Sequence, residues 1–471
     1  MSYQVPQHID KNKIFIVSCS EIEGRLEPEF YRPTLSSLEK QIRQQSSHKL
    51  RDYALYMAGG ATPKKTEAEK FYSDSESGVP FLRVQNLQTD GELSLDDCVY
   101  INEETHNGLL ARSQVAEGDL LVKITGVGRM AVASVAPQGF VGNTNQHMVV
   151  VKTGDTELSK YLARYLNLDI VEKIASRHST GGTRPALDYP SLKNIPVIEG
   201  IDFSKIDKAI SAKKQKELEA QDLIDSIDSY LLKELGIIMP EIKTDLRHRM
   251  FLVNRKELSD RLDPKFNKDF SYLRRLPSVY PWTTLNEVVL NNGQYGANER
   301  AMDYNIGNIR YIRITDIDEL GNLKDIDKKS AANIDETYML SYNDILFARS
   351  GSVGKCYIHK EMSEPAIYAG YLIRFVLDKN IIDPDYLFYY CNSKLYSLWV
   401  GTIQRSAVQA NINAHEFRSL RIPLPPLNKQ KEIVRHVAEL RQKAKALQQE
   451  GRSQLEKAKQ EVEQMIIGKM W

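Results

Sequence analysis

The side chains best suited to chemistry in this sequence gather in short, turn-like polar segments. In the first half these hold Arg83, Gln85 and Asn86; Lys123, Thr125 and Arg129; Asn145 and Gln146; and Arg184. In the second half they hold Arg313, Thr315 and Asp316; Arg349, Ser350 and Lys355; and Arg405, Gln409, Asn411 and Asn413. Arginine can donate two parallel hydrogen bonds to a guanine edge, and asparagine or glutamine can pair with an adenine edge, so such segments suit the reading of double-stranded DNA. For any single residue among them, a solvated loop is the competing reading.

Catalytic constellations are missing. Gly351-Ser352-Val353-Gly354-Lys355 falls short of a phosphate-binding loop, because Arg349 stands where the first glycine belongs and Cys356 where Ser or Thr belongs. Asp119 and Lys123 resemble the acid and lysine of a metal-dependent nuclease strand, but the matching strand has Asp344 with Ala348 in the lysine's place. The tetrapeptides and Pro-Cys loop expected of DNA methyltransferases do not occur, nor does His-Glu-x-x-His. Cys19, Cys98, Cys356 and Cys391 are too far apart in sequence for a zinc-type pair. The expectation is a chain with no catalytic residue, no metal site and no cofactor of its own.

The elements that carry these segments come in two copies. IFIVSCSEIEGRLEPEF (14 to 30) matches MFLVNRKELSDRLDPKF (250 to 266), and FLRVQNLQTDGEL (81 to 93) matches YIRITDIDELGNL (311 to 323). GDLLVKITGVG (118 to 128) then matches NDILFARSGSVG (343 to 354), and KYLARYLN (160 to 167) matches DYLFYYCN (385 to 392). A repeat running through the whole chain predicts two globules of one design. Short runs such as DLLVKI and DILFAR, bounded by turn signals, read as strands, and each copy ends in an amphipathic helix. The helical stripes are Ile206, Ile210, Ile224, Ile227 and Leu231, and then Ile433, Val437, Leu440 and Leu447, the second resuming after Gly451. Each stripe needs an apolar partner, and each is the natural partner of the other. The division expected is a globule over 1–200, a helix over 201–240, a globule over 241–425 and a helix over 426–471, with the two helices antiparallel.

Composition sets only broad limits. The chain has 471 residues, 42% hydrophobic and 27% charged, as in ordinary globular proteins. Its net charge of +1 gives no overall attraction to phosphate, so contact with DNA would have to come from local basic faces. The N-terminal MSYQVPQHIDKNK lacks the basic and apolar regions of a secretory signal, and no apolar run could span a bilayer, so a cytoplasmic chain without membrane contact is expected.

With R-L-[ED]-P-x-F opening each copy, the G-x-L turns, GDLLV and NDILFARSGSVGK, and IPLPPLNKQKEIV (422 to 434), the chain resembles the specificity subunits of type I restriction-modification systems along essentially its whole length. The resemblance implies an α+β fold with two tandem target-recognition domains, held apart by two long antiparallel, coiled-coil-like helices in a pseudo-two-fold arrangement. It implies recognition of a bipartite, asymmetric DNA sequence. It also implies partners: double-stranded DNA, two modification subunits that methylate adenine and, if present, two restriction subunits. S-adenosylmethionine, ATP and Mg would then reside on those partners. Two other readings are a recognition subunit for another phage-defence methyltransferase and a two-lobed protein-binding scaffold without DNA specificity.

Overall fold

The computed structural model describes residues 10–46, 48–239, 252, 255, 264–305, 307–404 and 410–468. Contacts divide the chain into two units, Met1–Lys216 with Gln448–Trp471, and Glu217–Leu447. The central helix Ser204–Leu235 and the C-terminal helix Leu427–Gly468 each contribute residues to both units.

The first unit is built on a four-stranded antiparallel sheet. With β1 at Tyr56–Gly59, β2 at Val79–Leu82, β3 at Leu120–Lys123, β4 at Ala133–Val135, β5 at Val141–Thr144 and β6 at Met148–Lys152, its order is β1-β6-β3-β4. Beside it β2 pairs with β5 in parallel. The second unit follows the same order. Its strands are β7 at Gln294–Tyr295, β8 at Arg310–Ile312, β9 at Ile345–Ala348, β10 at Cys356–Ile358, β11 at Ala366–Tyr368 and β12 at Leu372–Phe375. The sheet runs β7-β12-β9-β10, and β8 pairs with β11 in parallel.

The apolar runs in the sequence follow from burial on both faces of these sheets. Leu120 and Val122 of β3 face a core with Leu162, Tyr165 and Ile174, whereas Leu121 faces another with Leu82 and Val115. In β9, Ile345 and Phe347 face one core while Leu346 and Ala348 face another. Burying every residue of a strand calls for an apolar side chain at each position rather than alternation.

Helices cover one face. In the first unit α1 is Pro33–Gln45, α2 is Thr156–Leu166 and α3 is Asp169–His178; in the second α4 is Pro384–Tyr390 and α5 is Lys394–Ile403. The sequence pattern marks α2 and α4, but α3 and α5 emerge only in the fold. α5 lacks charged residues beyond its first position because Leu395, Tyr396, Trp399, Val400 and Ile403 are all buried.

Segments of the long helices pair within each unit. In the first, Lys205 meets Glu461 at 3.0 Å and Lys216 meets Glu450 at 3.0 Å, so the two segments run antiparallel. Ile206 and Ile210 share a core with Leu455, Ala458 and Val462. The C-terminal helix runs unbroken through Gly451, where an added Cβ would lie 3.1 Å from the Cα of Lys213. In the second unit Glu234 meets Lys429 at 2.6 Å and the rings of Tyr230 and His436 lie 4.1 Å apart, again antiparallel. Leu231, Ile433 and Val437 are buried there, Ile227 packs at the edge of that core, and Ile224, Leu440 and Leu447 are half-buried. Gln430, from the proline-rich segment, is fully buried. It accepts the N–H of Asp383 at 2.7 Å and donates to the carbonyls of Ile381 and Pro425, fixing the start of the C-terminal helix.

The Arg-Leu-Glu-Pro-x-Phe motif is a clasp. Arg25 donates to the carbonyls of His178 (3.2 Å) and Ser179 (3.0 Å), capping the C-terminal end of α3, where cations are favoured. Phe30 is buried with the guanidinium of Arg177 4.3 Å from its ring centre. Beneath it the buried Glu39 binds Arg43 (2.6 Å), His178 (2.9 Å) and Arg177. Burial alone would raise the Glu39 carboxyl, but the hydrogen bonds and charges of His178 and Arg43 outweigh it and hold the pKa down from 4.5 to about 2. Arg261 of the second copy of the motif lies outside the described residues; Phe266 is buried.

Two glycines missed by sequence pattern hold equivalent places. A Cβ on Gly60 would lie 1.6 Å from the carbonyl oxygen of Thr144, and one on Gly296 would lie 2.3 Å from that of Tyr368. Gly60→Ala and Gly296→Ala should each destabilise the chain by about 1–3 kcal/mol by forcing strands apart. Gly182→Ala, whose Cβ meets nothing within 4 Å, should be near neutral in the same denaturant titration. Because the folded pKa of Glu39 is depressed, its contribution is complete above 4.5 and disappears as pH falls toward 2. Glu39→Gln should therefore cost about 3 kcal/mol near neutral pH, and its unfolding curve should converge on that of the wild type as the solution is acidified through this window.

Candidate nucleic-acid interface

The buried strands β3 and β9 each end in a loop, and in both units the loop is laced by backbone hydrogen bonds to the same two neighbours. In the first unit the N–H of Ile124 bonds to the carbonyl of His147 (2.9 Å) and the N–H of Leu187 to that of Ile124 (2.8 Å). In the second the N–H of Arg349 bonds to the carbonyl of Tyr371 (2.9 Å) and the N–H of Ile412 to that of Arg349 (2.9 Å). Bridges at Thr125–Ala186 and Ser350–Asn411 repeat the likeness one residue further on. Behind each lies a short helix capped by a polar side chain: Asp188 accepts the N–H of Ser191 at 2.7 Å, and Asn413 that of Glu416 at 2.9 Å.

This lacing brings Thr125, Gln146 and Arg184 into one loop cluster in the first unit, and Arg349, Ser350 and Asn411 into another in the second. Arg184 and Gln146 are exposed, and Gln146 is bonded to Thr62. Val127, 75% exposed, stands at the first loop's tip. In the second unit Arg349 lies with its guanidinium carbon 4.9 Å from the ring centre of Tyr295, and Tyr371 is 62% exposed. An arginine held against an aromatic ring beside a second exposed ring is equipped for charge, hydrogen bonding and stacking. Tyr295 was missed because in sequence it is one tyrosine among 24; only the pairing of β7 with β12 puts it in the cluster.

Several expected reading residues are instead engaged in contacts within the fold. Arg83 and Arg313 are clamps. Arg83 donates to the carbonyl of Asp97 at 2.6 Å, and Arg313 donates to that of Asp327 at 3.1 Å and to both carboxylate oxygens of Asp316. Asn86 and Asp316 are buried and accept the N–H of Arg83 and Arg313, each at 2.8 Å, closing one tight turn in two copies. Lys123 is buried and donates to the carbonyl of Val127 at 2.8 Å, holding the loop's shape; burial lowers its pKa. Arg129 binds Asp169 and the carbonyl of Asn167, joining α2 to α3. Asn145 and Ser350 are buried, Lys355 is paired with Glu319 at 2.6 Å, and Asn413 is spent on its cap.

Gln85 and Thr315 are exposed at equivalent places on those two tight turns. Arg405 and Gln409 lie outside the described residues. Among the described residues no three His, Cys, Asp or Glu side chains gather as metal ligands, and no helix is long and apolar enough to cross a membrane.

Residues 281–457 match the model of the type I restriction modification DNA specificity domain. A putative type I restriction enzyme MjaX specificity subunit of Methanocaldococcus jannaschii is 32% identical over 155 residues, which are 32% of this chain and 36% of that one. The type I restriction enzyme StySPI specificity subunit of Salmonella potsdam is 24% identical over 397 residues, covering 81% of this chain and 79% of that one. The crystal structure of the HsdS subunit from Thermoanaerobacter tengcongensis aligns with 88% of this chain and 96% of its own, at a TM-score of 0.34 and 14% identity. In its matched specificity domain and in its likeness to curated specificity subunits, this α+β chain is similar to the type I restriction-modification specificity subunits.

Proposed function

We propose that this chain is the non-catalytic reading subunit of a DNA-methylating assembly and that each of its units reads one half of a bipartite, asymmetric double-stranded target. The observation that carries the proposal is the laced loop at the end of β3 and of β9. The hydrogen-bonded frame is the same in both, while the residues it presents differ: Thr125, Gln146 and Arg184 in one, Arg349, Tyr371 and Asn411 in the other. A duplicated scaffold bearing two unlike reading surfaces gives an asymmetric target, since base contacts specify sequence whereas the frame only positions them. The paired segments of the two long helices would serve as the coiled-coil spacer. Two modification subunits, and restriction subunits where the system has them, would be recruited to the bound site and would bring S-adenosylmethionine, ATP and Mg. The chain itself supplies binding alone.

Exchange of one unit tests this directly. Replacing residues 260–420 by the equivalent region of a related subunit should change one half of the motif methylated in the host genome and leave the other half intact. Sequencing of the methylated positions reads the result, and a change in both halves would overturn the assignment of one half-site to each unit.

A further inference from the structure

In each unit the G-x-L turn is pinned to a long helix by a cation. In the first unit the turn is Thr89-Asp90-Gly91, and Asp90 is buried. Its carboxylate accepts Lys213 of the central helix at 2.7 Å and the N–H of Glu92 at 3.0 Å. Its carbonyl accepts Arg164 of α2 at 2.6 Å. In the second unit the turn is Leu320-Gly321-Asn322, and the cation comes from the other long helix. Arg441 donates to the carbonyl of Leu320 at 2.9 Å and to the side-chain oxygen of Asn322 at 3.0 Å. Its guanidinium lies 5.2 Å from the ring centre of Phe388 and 5.5 Å from that of Tyr389, both on α4. Tyr389 stands where the first copy has Arg164. The two units thus keep the pinned turn while drawing the cation from different helices.

These turns belong to the segments that carry the tight turns of Asn86 and Asp316. The N–H of Ser94 bonds to the carbonyl of Asn86 (2.9 Å), and that of Lys324 to the carbonyl of Asp316 (2.8 Å). A cation joining such a turn to a helix fixes the tilt of the reading scaffold on that helix. A charged hydrogen bond, being directional, resists bending better than apolar contact, which is not.

We propose that Lys213 and Arg441 are positioning residues which set the angle of each recognition unit on its long helix, and through it the spacing between half-sites that the chain accepts. The inference rests on the bipartite reading above. Neither residue need touch DNA. Their loss should therefore leave the bases preferred within each half-site unchanged and should loosen only the choice of spacing.

The test uses the full-length chain and a pool of duplexes with two randomised half-sites at several separations, sequenced after selection by binding. The wild type should select two half-sites at one separation. Lys213→Met and Arg441→Met should each lower the preference for that separation over one a base pair longer or shorter by about tenfold, the scale of one charged hydrogen bond. Lys213→Arg should retain the preference. Asp90→Asn, which removes the charge but keeps an acceptor for Glu92, should behave like Lys213→Met and serves if the methionine variant unfolds. Folded variants with wild-type spacing selectivity would overturn this inference. A wild-type chain with no base preference at all would instead overturn the proposed function.

Discussion

Strands β3 and β9 are buried on both faces, and the candidate interface depends on that constraint. A strand with apolar contacts above and below can slip by neither one residue nor two, because a one-residue slip exchanges the two cores and a longer one uncovers Leu120 or Ile345. Its end is therefore fixed in space. The loop that leaves it is then held by backbone bonds to His147 and Leu187 in one unit and to Tyr371 and Ile412 in the other. Backbone lacing of this kind is indifferent to side-chain identity, so the exposed residues can vary without cost to the frame.

The polar side chains divide into two groups for the same reason. Those next to the frame are consumed in holding it: Lys123 on its own loop, Arg129 between α2 and α3, Arg83 and Arg313 across the tight turns. Those one or two positions further out, such as Arg184 and Tyr371, are left to solvent. The clasp of Arg25 on the end of α3 extends the scaffold to the N-terminal segment, since the carbonyls it holds directly precede Thr180, where the Arg184 loop begins. A net charge of +1 is compatible with this division, because many of the cations are neutralised internally by partners such as Glu39, Asp90 and Asp316.

Much of the scaffold was legible in the sequence because packing leaves periodic traces. The runs at 118–123 and 343–348, the stripe containing Ile433 and Val437, and the helix end at Gly236 all correspond to features of the fold. The reading surface was less legible. An asparagine that caps a turn, as Asn86 does, has the same letter and the same neighbours as one that faces solvent, and only burial separates them. The contribution of Tyr295 and the close approaches at Gly60 and Gly296 come from strand pairing between distant segments, which no local pattern encodes. α5 was missed because a short, largely buried helix has no polar stripe to reveal its period.

The central claim is that the laced loops are two separate reading surfaces, and mapping their contacts on DNA tests it most directly. A photo-crosslinking side chain placed singly at Thr125 and at Tyr371 in the full-length chain, irradiated on a duplex bearing the methylated motif, would report the nucleotides each loop approaches. The account predicts crosslinks from position 125 confined to one half-site and crosslinks from position 371 confined to the other. Crosslinks from both positions in the same half-site, or only in flanking DNA outside the motif, would contradict it.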